Sequence, residues 1–242
     1  SARWMDLKMK MDMTYREIEG IKLNIKQFLD EIQKIAKLYQ FEYSQQDRDF
    51  YSFIAKHIIF FKYLHQGEKK SYFYKVLISD LYYLILSIIK HEKRYMYVNE
   101  RSIIENYMRA IMQISLQDDH INESVFQEMR NKKFYCQFTD EEYSLIKNEY
   151  VTSCEYIHGG NILNDNLAYV LDECENDKFP IKDRVKYYIR VQDVLKTFDK
   201  LIVAEKTLYI NGCFHRKKSV MKYLIGAKQV ELLFEILNLK GD

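Results

Sequence analysis

Seven glycines and one proline in 242 residues leave this chain very few places to turn. Average usage would give these two residues about 12% of all positions. Sandwiches, barrels and doubly wound α/β folds consume both in their many tight turns. A chain so poor in them is built from a few long elements, and those are helices. The same shortage excludes Gly-rich phosphate loops. The only adjacent pair is Gly159-Gly160, and neither GxGxxG nor GxxxxGK[ST] occurs. The expected fold is all-α, a bundle of about eight or nine helices.

Composition narrows the class further. Hydrophobic residues at 48% and aromatics at 15% supply a core and exclude disorder. Charged residues reach 30% but balance to +2, so any nucleic-acid role must come from local patches. Cys136, Cys154, Cys174 and Cys213 are widely spaced with no CxxC pair, which reads as reduced, buried thiols of a cytosolic protein. No signal peptide is visible. Ser1-Ala2-Arg3-Trp4 precedes the first Met and reads as a cloning remnant, so what stood before residue 5, a membrane anchor included, is left open. The longest apolar stretch, Tyr72 to Ile89, holds Lys75, Asp80, Ser79 and Ser87. Charges at such depths are costly in lipid, so a buried core helix is expected and no transmembrane segment. The expected location is the cytoplasm.

Periodicity places the helices. Ile18, Ile21, Ile25, Phe28, Ile32, Ile35 and Tyr39 alternate spacings of three and four, predicting an amphipathic helix over 7–43 suited to a bundle or to pairing between subunits. A second follows Asp47, and a third starts at Ser71. A fourth begins with Asn99 as cap and runs to Ser115, and a short one starts near Asn122. Thr139 with Glu142 forms a capping box for a helix running towards Ile157, stopped by Gly159. A short helix covers 164–175. Pro180 opens a long helix ending at Asn211-Gly212, and the last runs from Ser219 to Gly241. The stretch 158–180 is the candidate divider. The expected organisation is a long helix in 1–45, a helical core in 46–178 and packing helices in 179–242.

Chemistry concentrates on two helices. Arg101, Glu105 and Arg109 lie at i, i+4 and i+8 and share one face, opposite an apolar face of Ile103, Ile104, Tyr107, Ile111 and Ile114. His158, in Tyr156-Ile157-His158-Gly159-Gly160, sits at the end of its helix. Beside a guanidinium and a carboxylate it is a candidate general base. The plainer reading is an ion-pair ladder and a helix C-cap.

At these residues the chain resembles the HEPN-like helical superfamily, within it the abortive-infection branches of bacterial phage defence. Arg101, Ser102, Glu105 and Arg109 match one half of the pattern; Tyr156, His158, Gly159 and Gly160 match the other. The resemblance covers residues 70–175 and implies a HEPN-like core, dimerisation, and RNA cleavage without metal by an Arg and a His close in sequence. Here no Arg or Lys stands five to seven positions before any of the histidines at 57, 65, 91, 120, 158 and 215. An active site would therefore borrow Arg101 or Arg109 from the neighbouring helix. His158 would take the 2′-hydroxyl proton and arginine would stabilise the phosphate.

Three basic–aromatic clusters add a second feature. They comprise His91, Lys93, Arg94, Tyr95 and Tyr97; Arg130, Lys132, Lys133, Phe134 and Tyr135; and Phe214, His215, Arg216, Lys217 and Lys218. Cations neutralise phosphates and rings stack on unpaired bases, so these clusters, if gathered on one rim, would bind single-stranded RNA or DNA. Basic residues also favour helix C-termini for local reasons. Cys154 and His158 at i and i+4 do not close a zinc site, and Asp118-Asp119-His120 reads as a loop. No HExxH or GxSxG occurs, and no cofactor or metal is expected. Three functions stay in view: a phage-defence protein that binds RNA, with or without cleaving it, a catalytically inactive binder of single-stranded nucleic acid, and a protein-interaction or oligomerisation module. Their partners would be RNA or DNA, a second copy as homodimer, or a phage or host protein.

Overall fold

A computed structural model describes residues 2–68, 72–114, 121–159 and 166–241, with the backbone alone given for 2–10 and 12. Among these residues there are eleven helices and no strand. The long ones are α1 (Ala2–Leu38), α2 (Gln45–Gly67), α3 (Tyr72–Ile89), α4 (Lys93–Met112), α6 (Asp140–Ile157) and α8 (Ile181–Glu205). Shorter ones are α5 (Glu123–Asn131), α7 (Leu167–Asn176), α9 (Thr207–Cys213), α10 (Lys218–Ile225) and α11 (Ala227–Gly241).

Aromatic and polar pairs fix the directions. Asp47 meets Arg184, Tyr188 meets Asp47, and His57 meets Asp199, so α2 and α8 run the same way. Tyr97 lies against Tyr187 and Tyr107 against Phe198, which puts α4 parallel to both. The other three long helices run back. In α3, Tyr74 stacks near Phe61 and Tyr209, whereas His91, just past its end, lies against Phe41. In α6, Lys200 reaches Glu142 while Tyr97 stacks on Tyr156. In α1, Glu17 takes bonds from Tyr63 and Lys217. One cluster of buried side chains extends from Ile25 to Leu233, so residues on both sides of 158–180 share a core.

Several local expectations meet the backbone as written. Thr139 and Glu142 form their reciprocal capping box, and Gly159 adopts φ +97° after the C-cap His158. Asn122 caps α5 with bonds to the backbone of Ser124 and Val125. Ile103, Ile104, Tyr107 and Ile111 are buried, with Ile114 half-buried.

Other expectations are corrected. α1 stops at Leu38 rather than 43, because Gln40 turns left-handed and drives Phe41 into the core. α2 starts at Gln45 rather than after Asp47, capped by Ser44 with Asp47 as the third residue of a capping box. Asn99 is no cap: α4 starts at Lys93, and the Asn99 amide instead bonds Tyr95 O and Ser87 Oγ across to α3. Pro180 is itself the N-cap of α8. The predicted helix to Gly212 kinks at Lys206, where the Thr207 hydroxyl turns back onto Val203 O and Ala204 O. The predicted last helix breaks at Gly226, whose φ of +96° no helix accommodates. These two breaks account for eleven helices against nine. Ser71 and Ser115 lie outside the described residues.

The cysteines are free but not buried: Cys136, Cys154 and Cys213 are half-buried and Cys174 is exposed. Among the described residues α3 alone is long and apolar enough to cross a membrane, and Tyr74, Leu77, Leu81, Leu84 and Ile88 on it are buried in this core. The stripe on α1 is likewise consumed within the chain. Ile25, at 5% exposure, and Ile32 and Ala36 join the core, leaving Leu38 and Tyr39 outside. From Ile25 onwards α1 therefore offers no apolar face for a second copy.

Candidate functional site

The Arg101–Glu105–Arg109 ladder forms as an intrahelical network. Arg101 Nε donates to Glu105 Oε1 at 2.9 Å, and Arg109 reaches Glu105 Oε2 at 3.4 Å. Tyr150 from α6 donates to the same Glu105 Oε1 at 3.1 Å, and the Arg101 guanidinium stands over its ring. A carboxylate held by two guanidiniums and a phenol is neutralised where it stands, which fits a structural joint between α4 and α6. Beside it, burial, with Glu105 adding to it, pushes the Asp80 carboxyl up to about 6, against the opposing bond from Ser102. Sequence reasoning passed over Asp80 as a mere interruption of an apolar stretch.

His158 lies elsewhere. Because α6 runs antiparallel to α4, its end comes level with the start of α4, where Arg94 Nη2 donates to Ile157 O at 2.9 Å. Arg101 is seven residues further on and Arg109 fifteen, or about 10 and 22 Å along the helix. The structure therefore puts Arg94, not Arg101 or Arg109, on the carbonyl of the residue before His158, and the His158 side chain is exposed with no partner among the described residues. Tyr156 stacks on Tyr97 with centroids 4.1 Å apart. Gly160 falls outside the described residues.

The basic clusters do not share a rim. Lys93, Arg94 and Tyr95 sit where α4 and α8 begin; Lys132 pairs with Glu205 and Lys217 with Glu17 at the opposite end of the bundle. A helix of 25 residues separates those ends by about 36 Å. Their charge is also largely spent. Lys93 pairs with Asp177, Arg130 with Asp140, Lys132 with Glu205 and Lys217 with Glu17, while Lys218 donates to Phe214 O. Lys240 stands over the exposed Tyr135 ring. Lys133 and Arg216 are exposed and make no ion pair among the described residues. Asp118, Asp119 and His120 lie outside those residues, and among the described ones no group of three metal-binding side chains gathers.

A cavity of about 40 Å³ between α1, α2 and α3, lined by Phe28, Ile58, Lys62 and Tyr82, is far smaller than a usual ligand site. The conspicuous surface feature is α7. None of its residues is buried, and Leu167 and Leu171 are 82% and 72% exposed. Leu167, Val170, Leu171 and Cys174 recur at i, i+3, i+4 and i+7, the stripe of a helix that packs against something. Asp172, Glu173 and Glu175 flank it with negative charge, and Asp177 anchors its end to Lys93. The exposure was not legible from the sequence, because a stripe of this kind usually faces its own core.

Comparison with protein-family models, curated proteins and solved structures found no match for the chain.

Proposed function

We propose that this chain is a catalytically inactive helical interaction module of the abortive-infection type in bacterial phage defence. In this reading α7 is the element that meets a phage or host protein. The observation that carries it is the uncovered stripe of α7. Exposed leucines on an otherwise acidic helix fit an apolar groove rimmed by lysine or arginine in the partner. The resemblance of Arg101 through Arg109 and of Tyr156 through Gly160 to HEPN-like proteins supplies the defence context. The inward pairing of Glu105 and the distance from Arg101 to His158 speak for scaffold rather than catalysis.

The test is plaque formation on bacteria expressing the chain. Leu167→Asp with Leu171→Asp should abolish protection while leaving the unfolding midpoint almost unchanged. Surface substitutions usually stay within about 0.5 kcal/mol. His158→Ala and Arg101→Ala should still protect. Protection that survives the leucine changes, or that is lost with His158→Ala, overturns the proposal.

A second reading keeps RNA as partner, and the Arg94–Ile157 bond favours it, because it holds a guanidinium at the end of α6, the helix end that also carries the exposed Tyr156 and His158. Filter binding of single-stranded RNA at two salt concentrations separates the two. Salt-dependent binding removed by Arg94→Ala would favour RNA, and no salt-dependent binding is the expected result.

A further inference from the structure

Where α4, α6 and α8 meet, two glutamates face each other inside the protein. Glu100 and Glu149 are 3% and 4% exposed. Arg190, from α8, donates to Glu149 Oε1, which leaves Glu149 Oε2 and both oxygens of Glu100 buried without a partner. The Tyr187 hydroxyl, on a side chain 1% exposed, is also unpartnered and lies beside Glu100. Tyr97 of α4 closes the group, packed edge-on against Tyr187 and stacked on Tyr156. The charged and titratable groups facing Glu100 are thus Tyr97 on its own helix α4, Glu149 on α6, and Tyr187 and Arg190 on α8.

Two buried carboxylates and one guanidinium leave one negative charge in excess. Carboxylate oxygens that face one another are both acceptors, so neither satisfies the other. One proton resolves both problems. Glu100 as an acid donates to Glu149 Oε2, Arg190 keeps Glu149 Oε1, and Tyr187 donates to the remaining oxygen of Glu100.

We propose that this junction is a proton-binding site, in which Glu100 and Glu149 share a single proton that the folded chain retains at neutral pH. Burial, followed by the charge of Glu149, holds the Glu100 carboxyl well above the usual carboxylate range, in keeping with that arrangement. The sign follows. A carboxyl whose folded pKa exceeds its unfolded one stabilises the fold below the unfolded value and loses that contribution as pH rises towards the folded value. The junction is therefore tight in acid and loosens in alkali, weakening the contact of α6 with α4 and α8.

The experiment compares unfolding midpoints of the wild-type chain and of Glu100→Gln from about pH 5 to about pH 9, spanning the range above an ordinary glutamate. The amide of that variant carries a permanent donor in place of the shared proton. The wild-type midpoint should fall with rising pH relative to the variant, and the two curves should cross, with the variant the more stable above the crossing. Infrared spectra of the wild type alone supply an independent reading, namely a protonated-carboxyl band at neutral pH that disappears in alkali. Parallel curves together with absence of that band would overturn the proposal. So would a wild-type midpoint raised by Mg²⁺ or Ca²⁺ and unaffected by them in Glu100→Gln, because the oxygens would then hold a cation instead.

Discussion

Replacing Arg184 with methionine should destabilise the chain by about 3–5 kcal/mol, the cost of removing one partner of a buried ion pair and stranding the other. Arg184 is 2% exposed and uses four of its five N–H donors. Nε and Nη2 donate to the two oxygens of Asp47 at 3.1 Å each, Nη2 also to Glu42 O, and Nη1 to Phe179 O. Its plane covers Phe41. One side chain thus ties the α1–α2 connection, the start of α2 and the start of α8 into a single closure. Asp47 at the same time completes the capping box of α2, accepting from the Ser44 amide and hydroxyl. Losing Arg184 therefore leaves a buried carboxylate without its counter-charge, held only by Tyr188 and Ser44, and weakens a helix start. Equilibrium denaturation in urea measures the loss. The variant Asp47→Asn with Arg184→Met removes both charges and should recover part of it, since the stranded charge accounts for much of the cost.

None of this closure was visible in the sequence, and the reason is physical. Helix existence follows from local signals: the Thr139–Glu142 box, the stop at Gly159 and the stripe on α4 all act within a few residues, and each forms as written. Partners 137 positions apart, as Asp47 and Arg184 are, leave no local trace. The same limit governs the candidate site. The spacing of Arg101, Glu105 and Arg109 guarantees a shared face, and they do interact. Whether His158 joins them depends on how far α6 slides along α4. Tyr97 on Tyr156 and Tyr150 on Glu105 set that register and put Arg94 at the end of α6. Charge tells a similar story. Lys93, Lys132 and Lys217 look like phosphate ligands only until the fold supplies Asp177, Glu205 and Glu17.

Deleting the carboxylate in Asp199→Ala should cost about 3–5 kcal/mol as well, by a different route. Asp199 accepts from Tyr107 at 3.0 Å on one oxygen and meets His57 Nε2 at 2.7 Å on the other, all three residues being buried. His57 Nδ1 lies 2.9 Å from Phe53 O, an acceptor, so Nδ1 carries a proton. If Nε2 were bare it would face the carboxylate lone pair to lone pair. The stable arrangement is an imidazolium donating from both nitrogens. Although burial alone would lower the His57 pKa, the charge and hydrogen bond of Asp199 outweigh it and raise it. A histidine whose folded pKa is raised stabilises the fold fully below its unfolded value of about 6.5, and that contribution disappears as pH rises through the folded pKa. The gap in stability between wild type and Asp199→Asn, which keeps the shape without the charge, should accordingly be widest in mild acid and narrow in alkali. Urea unfolding at a series of pH values reads it directly. A gap that stays constant with pH would mean that His57 is neutral and the pair an ordinary hydrogen bond. Combining Asp199→Asn with Glu100→Gln should flatten the alkaline decline further than either change alone. The two sites sit on different contacts of α8, and independent sites add.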